Sequence, residues 1–289
     1  MKGRKTLFVA LLAAFMIMAT AVVAIAHSTS SGRRVIDAPN KVEMEAKEGG
    51  DVRWILPGPR ELDPAIFGTP GSPLREELLP LDKRVFIEGE GYFVSGDGVT
   101  KMMTPFSNKW APITGEAEVE VKDITSVSGS STKDKIDAEF EFTSPGGEIN
   151  YRLVVKKALP EIDHENFGGV GVNALQHGAT GIGTPLMPQL MSFIAFWGAG
   201  DLYVNGELQP DKRFVHFMLS ENVRDEDYNL VFNDGVDPEG SWQAHLILPP
   251  VALGSNGPFA NPVPTGFELP NEKDQPFLHI MFEDVEADS

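Results

Sequence analysis

Three short stretches of the chain share one arrangement: Val215-His216-Phe217-Met218, Ala244-His245-Leu246-Ile247 and Leu278-His279-Ile280-Met281. Each sets a histidine in an apolar run, with an aliphatic residue or a methionine two places on. Strand side chains alternate between faces, so each histidine shares its face with that later residue. Imidazole is the commonest transition-metal ligand. Three imidazoles around an open position make a catalytic or copper-type site, to which Met218 and Met281 would add soft thioethers. Distance limits the idea. Adjacent strands lie about 4.8 Å apart and next-nearest strands about 10 Å, whereas nitrogens on one ion come within roughly 3 to 3.5 Å of each other. Convergence across an intervening strand, Tyr228–Phe232, needs the curvature of a barrel with all three faces turned inward. The plainer alternative is three core histidines, each hydrogen-bonded to a local partner such as Gln243.

A second group lies in Pro160–Gln189, which holds Gly168, Gly169, Gly171, Gly178, Gly181 and Gly183 together with Asp163-His164-Glu165 and His177. Glycines let backbone amides approach a substrate, and His164 or His177 would act as general acid and base or as ligands. No strand or helix is expected there. A third group is aromatic. Phe193, Phe196, Trp197, Phe214 and Trp242 are expected to line an apolar cavity capped by the glycine-rich segment, because barrel mouths are regular ligand sites.

Other chemistry is absent or faint. The sequence has no phosphate-loop Gly-Lys-Ser/Thr, no Gly-x-Ser-x-Gly elbow and no His-Glu-x-x-His. Gly169 to Ala174 matches the dinucleotide pattern only in its final-alanine form and without a preceding hydrophobic strand. Asp234, Asp237 and Glu239 lack the spacing of an EF-hand loop and read as a turn. With no cysteine, thiol nucleophiles, thiolate metal sites and disulfides are excluded.

The elements that must carry these groups are strands. The hairpin Ser192–Ser220 flanks Asn205-Gly206, a pair suited to the positive φ angles of a type I′ turn. Its arms are apolar on both faces, so it belongs inside a larger, covered sheet. Period-two runs predict strands at Val85–Ser95 and Glu116–Ile124, and a hairpin of Ile136–Phe142 with Ile149–Lys157 in which Phe142 faces Ile149 and Glu139 meets Arg152. Tyr228–Phe232, Trp242–Leu248 and Phe277–Phe282 complete the set. Prolines between Leu56 and Leu81 rule out a central strand there, and a second proline-rich crossing runs from Pro249 to Pro276.

The expected fold is all-β, an antiparallel barrel or sandwich, built as one body or as two similar halves. In strand pattern alone it resembles lipocalin-type (calycin) barrels. The organisation reads as an N-terminal segment 1–26, a polar tether 27–34, a first β half 35–157, a glycine-rich segment 158–190 and a second β half 191–289. Lys2, Arg4 and Lys5 precede an uncharged run from Thr6 to Ala26 that ends in Ala24-Ile25-Ala26, the three parts of an export signal. The same run is long enough to stay as a membrane anchor. Either way the folded part is expected outside the cytoplasm, periplasmic or secreted, with membrane contact only through an uncleaved anchor.

The net charge of −18 over 289 residues repels phosphate backbones, so no nucleic-acid partner is expected. Three functions follow. The first is binding of a small apolar molecule by the aromatic group. The second is a metal protein or metalloenzyme built on His216, His245 and His279, with a transition metal as cofactor. The third is an interaction module tethered to a membrane.

Overall fold

The computed structural model describes residues 42–46, 49–60, 63–69, 72–73, 102–125, 133–160, 167–266 and 278–288, all within one compact unit. The N-terminal segment, the strand expected at Val85–Ser95 and the run Asp163-His164-Glu165 lie outside the described residues.

Among the described residues the chain is nearly all β. Its strands are β1 (Val42–Ala46), β2 (Val52–Arg60), the two-residue pair β3 (Gly68–Thr69) and β4 (Ser72–Pro73), β5 (Met102–Ile113), β6 (Gly115–Lys122), β7 (Lys135–Thr143) and β8 (Asn150–Ala158). Then follow β9 (Val170–Gln176), β10 (Leu190–Val204), β11 (Glu207–Leu208), β12 (Lys212–Asn222), β13 (Asp237–Leu248), β14 (Val251–Gly254), β15 (Gly257–Ala260), β16 (Leu278–Phe282) and β17 (Val285–Asp288). One helical turn, α1 (Pro64–Phe67), precedes β3.

The main sheet runs in the order β17-β1-β6-β7-β8-β10-β12-β13-β16-β2-β5 and curls into a half-barrel. Only Thr114 separates β5 from β6, so the last strand of the path runs straight into its third. Inside the curl lies one continuous core, to which Trp54, Val119, Phe140, Leu153, Phe196, Phe217, Leu246 and Phe282 contribute from eight different strands. The Trp54 ring of β2 reaches Phe142 of β7 at 6.1 Å and Tyr151 of β8 at 5.8 Å. Apolar burial of this kind stabilises by about 25 cal/mol per Å² removed from water.

On β6 the expected alternation holds: Ala117, Val119 and Val121 are buried while Glu116 and Glu118 face water. Pairing lines up the outward carboxylates in rows. Glu286, Glu45, Glu118 and Glu139 form one across β17, β1, β6 and β7, and Asp288, Glu43, Glu120 and Asp137 form the next. Like charges directly opposite oppose pairing. Arg152, bonded to Glu139 and 3.6 Å from Glu141, and Lys156, bonded to Asp137, offset part of this.

Several expectations are corrected. The β7–β8 hairpin pairs Phe142 with Tyr151 and Glu141 with Arg152, two residues away from the expected register. The faces survive because a shift of two preserves alternation. The turn sets the register, since Ser144 bonds Ile149 through both its backbone amide and its hydroxyl. Pro57 and Pro59 lie within β2 after all. Among the described residues that strand pairs only with β5 beyond Trp54, and its register breaks between Leu56 and Gly58, so a missing amide is tolerated. The glycine-rich segment contains a strand, β9, paired along the first part of β10. Tyr228–Phe232 is not a strand: Tyr228 has φ 65°, and only Leu230 makes an isolated bridge, to Arg224. The second proline crossing includes the small hairpin β14–β15. Asn205 (φ 50°) and Gly206 (φ 83°) form the expected turn of the organising hairpin.

Candidate metal centre

With no strand at Tyr228–Phe232, the three histidine strands are immediate neighbours: β12 pairs with β13, and β13 with β16. Their register builds two rows. Met218, His245 and Met281 lie in line, and His216, Ile247 and His279 in the next line. Phe217, Leu246 and Ile280 belong to the core inside the curl, whereas Met218 and Ile247 belong to a second cluster on the other side. Alternation therefore places all three histidines on the outer face of the sheet, not toward the hollow of the curl. They are nonetheless buried, because that face is roofed by Ile66, Phe106, Phe167, Leu186, Met187, Val223 and Leu230.

The roof delivers a fourth imidazole. His177 follows β9 with φ 62°, a conformation that costs a non-glycine residue about 1–3 kcal/mol. Its ring is received by Gly183, where a Cβ would stand 2.6 Å from Cε1 and 2.7 Å from Nδ1. Nδ1 lies 3.0 Å from the Thr184 carbonyl oxygen. A carbonyl only accepts, so Nδ1 carries the ring proton and Nε2 is a bare lone pair. That Nε2 faces the Met218 thioether sulfur at 3.0 Å.

The other rings are held differently. His216 donates from Nδ1 to the Phe196 carbonyl at 2.9 Å and stacks on Trp197 with centroids 4.5 Å apart. His245 Nδ1 and His279 Nε2 share a proton across 3.1 Å, and the edge of the ring pair Phe106–His279 closes the site at 5.4 Å. His245 Nε2 is fully buried with no hydrogen-bond partner among the described residues. Beside these rings runs a second polar layer. Arg224 donates from Nη1 to the carbonyls of Ser107 (2.8 Å) and Tyr228 (3.2 Å), while its Nε and Nη2 find no partner among the described residues. Tyr228 bonds Glu283 through its hydroxyl and touches the Met281 sulfur at 3.3 Å; Gln243 donates to Glu283 at 2.8 Å.

Burial dominates the electrostatics. Desolvation lowers His177 to about 4, against a smaller raising effect of the Thr184 carbonyl, and lowers His216 to about 3, helped by the nearby His177. His245 is pushed well below its ordinary value by desolvation, then by His279, Arg224, His177 and His216. All are neutral at pH 7, the form that binds metals. Desolvation lowers Arg224 to about 10, so it stays charged, and raises the Glu283 carboxyl. No family model, curated protein or solved structure matches this chain.

Among the described residues, no three histidine or carboxylate side chains are placed to hold one ion. His245 and His279 meet, but His216 is engaged with Phe196 and Trp197, so the expected set of His216, His245 and His279 does not close on a point. His177, expected as an acid–base or ligand residue of the glycine-rich segment, joins the same face; that it would meet the histidine strands had no signal in the local sequence. The polar layer of Arg224, Tyr228 and Glu283 had no sequence signal either.

The five aromatic residues expected to line one cavity divide between faces. Phe193 packs on Trp242 (5.2 Å) and Phe196 on Phe217 (5.3 Å) against the inner core, while Trp197 and Phe214 (5.4 Å) lie under the roof. The two faces differ because Phe196 and Trp197 are consecutive on a strand. Hollows lie along the outer face of β1, β6 and β7, lined by residues such as Glu45, Glu118 and Glu139. Among the described residues no helix is long and apolar enough to cross a membrane.

Proposed function

We propose that the protein is an exported carrier of a transition-metal ion, bound between the outer face of the curled sheet and its glycine-rich roof. One observation carries this reading. Two buried imidazole nitrogens in that layer are poorly satisfied: His177 Nε2 faces only a thioether sulfur, and His245 Nε2 has no hydrogen-bond partner among the described residues. Leaving a buried polar nitrogen unsatisfied costs about 1–3 kcal/mol, which a ligated ion returns. In both rings the opposite nitrogen is anchored, by Thr184 and by His279, as metal-binding histidines are held. Every ring is buried to 5% exposure or less, which suits holding an ion better than turning over a substrate. Export rests on the N-terminal segment. An apolar ligand has the weaker support, since its five aromatic residues lie on two faces.

Elemental analysis of untagged protein isolated from its export compartment tests the reading, against the double variant His177→Ala, His245→Ala. The wild type is expected to retain a stoichiometric transition metal after dialysis and the variant to lose it. Equal metal content in a folded variant would overturn the proposal.

A further inference from the structure

Resting on that reading, we propose that the ion is monovalent copper, seated by His177 Nε2, Met218 Sδ and His245 Nε2. The 3.0 Å between His177 Nε2 and Met218 Sδ is within about 0.5 Å of the ~3.5 Å that a nitrogen and a sulfur on one ion adopt, so a small outward shift would seat both. The ring proton is on Nδ1, so a nitrogen lone pair meets a thioether lone pair with no hydrogen between them. Full burial strips both of water.

His245 supplies the third ligand. It stands directly opposite Met218 in the β12–β13 ladder, on the same face, where Cβ atoms lie about 4.5–5.5 Å apart. Its Nδ1 is oriented by His279, and Nε2 is left over. The other sheet residues of the pattern have separate work. His216 is fixed by Phe196 and Trp197, and Met281 rests on Tyr228. His279 is thus a positioning residue rather than a ligand.

Charge and softness choose the ion. Two imidazoles and a thioether form a neutral set, and a thioether favours soft monovalent copper over zinc. The nearby Arg224 adds positive charge, while Glu283 is already hydrogen-bonded by Tyr228 and Gln243. The cost of burying an ion rises with the square of its charge, so a divalent ion here costs about four times as much as a monovalent one.

Apo-protein titrated anaerobically with copper(I) against a chromophoric copper(I) chelator, and separately with zinc(II), decides the matter. One equivalent of copper(I) is expected to bind far more tightly than zinc(II). Met218→Leu, a swap of similar volume, should weaken copper(I) by more than about tenfold, with the thermal midpoint of the apo-protein as the folding check. Met281→Leu should leave it unchanged. X-ray absorption of the loaded protein should show one sulfur ligand beside nitrogen ligands. Zinc(II) binding as tight as copper(I), or copper(I) affinity indifferent to Met218→Leu, would overturn this assignment while leaving a metal carrier standing. Binding of neither ion would overturn both.

Discussion

Two stretches of one sheet treat their outer faces in opposite ways. On β6 and β7 that face is open to water and carries rows of carboxylates; on β12, β13 and β16 it is roofed and carries histidine and methionine. The inner faces are alike, both given to the shared core. What differs is the covering, and it decides which side chains the outward positions tolerate. Glutamates opposite glutamates persist because solvent screens them. Imidazoles under a roof lose solvent and stay neutral, which leaves lone pairs for binding.

The largest expected effect comes from pH. His177 and His216 have folded values of about 4 and 3, below the ordinary 6.5 of the unfolded chain. The unfolded state therefore takes up protons first as pH falls. The associated stability is fully present above pH 6.5 and is lost progressively toward pH 4 and below. Each pH unit separating a folded value from its unfolded one is worth about 1.4 kcal/mol, so two such groups amount to several kcal/mol, a large share of a domain's stability. Chemical unfolding of apo-protein followed by tryptophan fluorescence at about pH 7 and about pH 4.5 checks this; equal stabilities would erase the contrast between roofed and open faces.

Next comes the shared interior. Phe217→Ala should cost about 3–5 kcal/mol, because the ring packs on Phe140 of β7 (5.4 Å) as well as Phe196. Hydrogen exchange should quicken in β7–β8 and in β12–β13 together. Quickening confined to β12–β13 would make the two regions separate units. A smaller and local loss, about 1–3 kcal/mol, is expected for Gly183→Ala, whose new Cβ meets the His177 ring at φ 71°. Exchange should rise across residues 177–189 and stay unchanged in β6–β7. The smallest effect has the opposite sign. Glu118→Lys, facing Glu45 and Glu139, should stabilise by up to about 1 kcal/mol at low salt, with the gain shrinking as salt is added.

The strands were legible where pattern and exposure agree. Glu116 to Val121 alternates because one side is wet, and the apolar runs around His216, His245 and His279 read as covered strands because they are. Asn205-Gly206 announced its own turn. That each histidine shares a face with the residue two places on followed from alternation, whereas one common face for all three depends on the register of β12, β13 and β16. Which way that face points did not follow either, because an apolar run looks the same whether its second cover is an opposing wall or a roof of loops. The roof comes from α1, β5 and the segments around Phe167, Leu186 and Leu230, a set brought together only by the tertiary fold. His177 was therefore visible as a loop histidine and invisible as the neighbour of Met218. The register of β7 with β8 was missed for a local reason: the Ser144 hydroxyl closes a longer turn than the glycines alone imply.

Strand β17 ends the path with a single neighbour among the described strands, β1. Such an edge invites another chain to add itself. Here any copy docking along it would bring its own Glu286 and Asp288 toward the same residues of the first and lengthen both carboxylate rows. The Debye length in ~0.15 M salt is about 8 Å, longer than one strand spacing, so the repulsion is felt before backbone bonds form. The acidity of this end thus opposes extension of the sheet through β17 by a second copy.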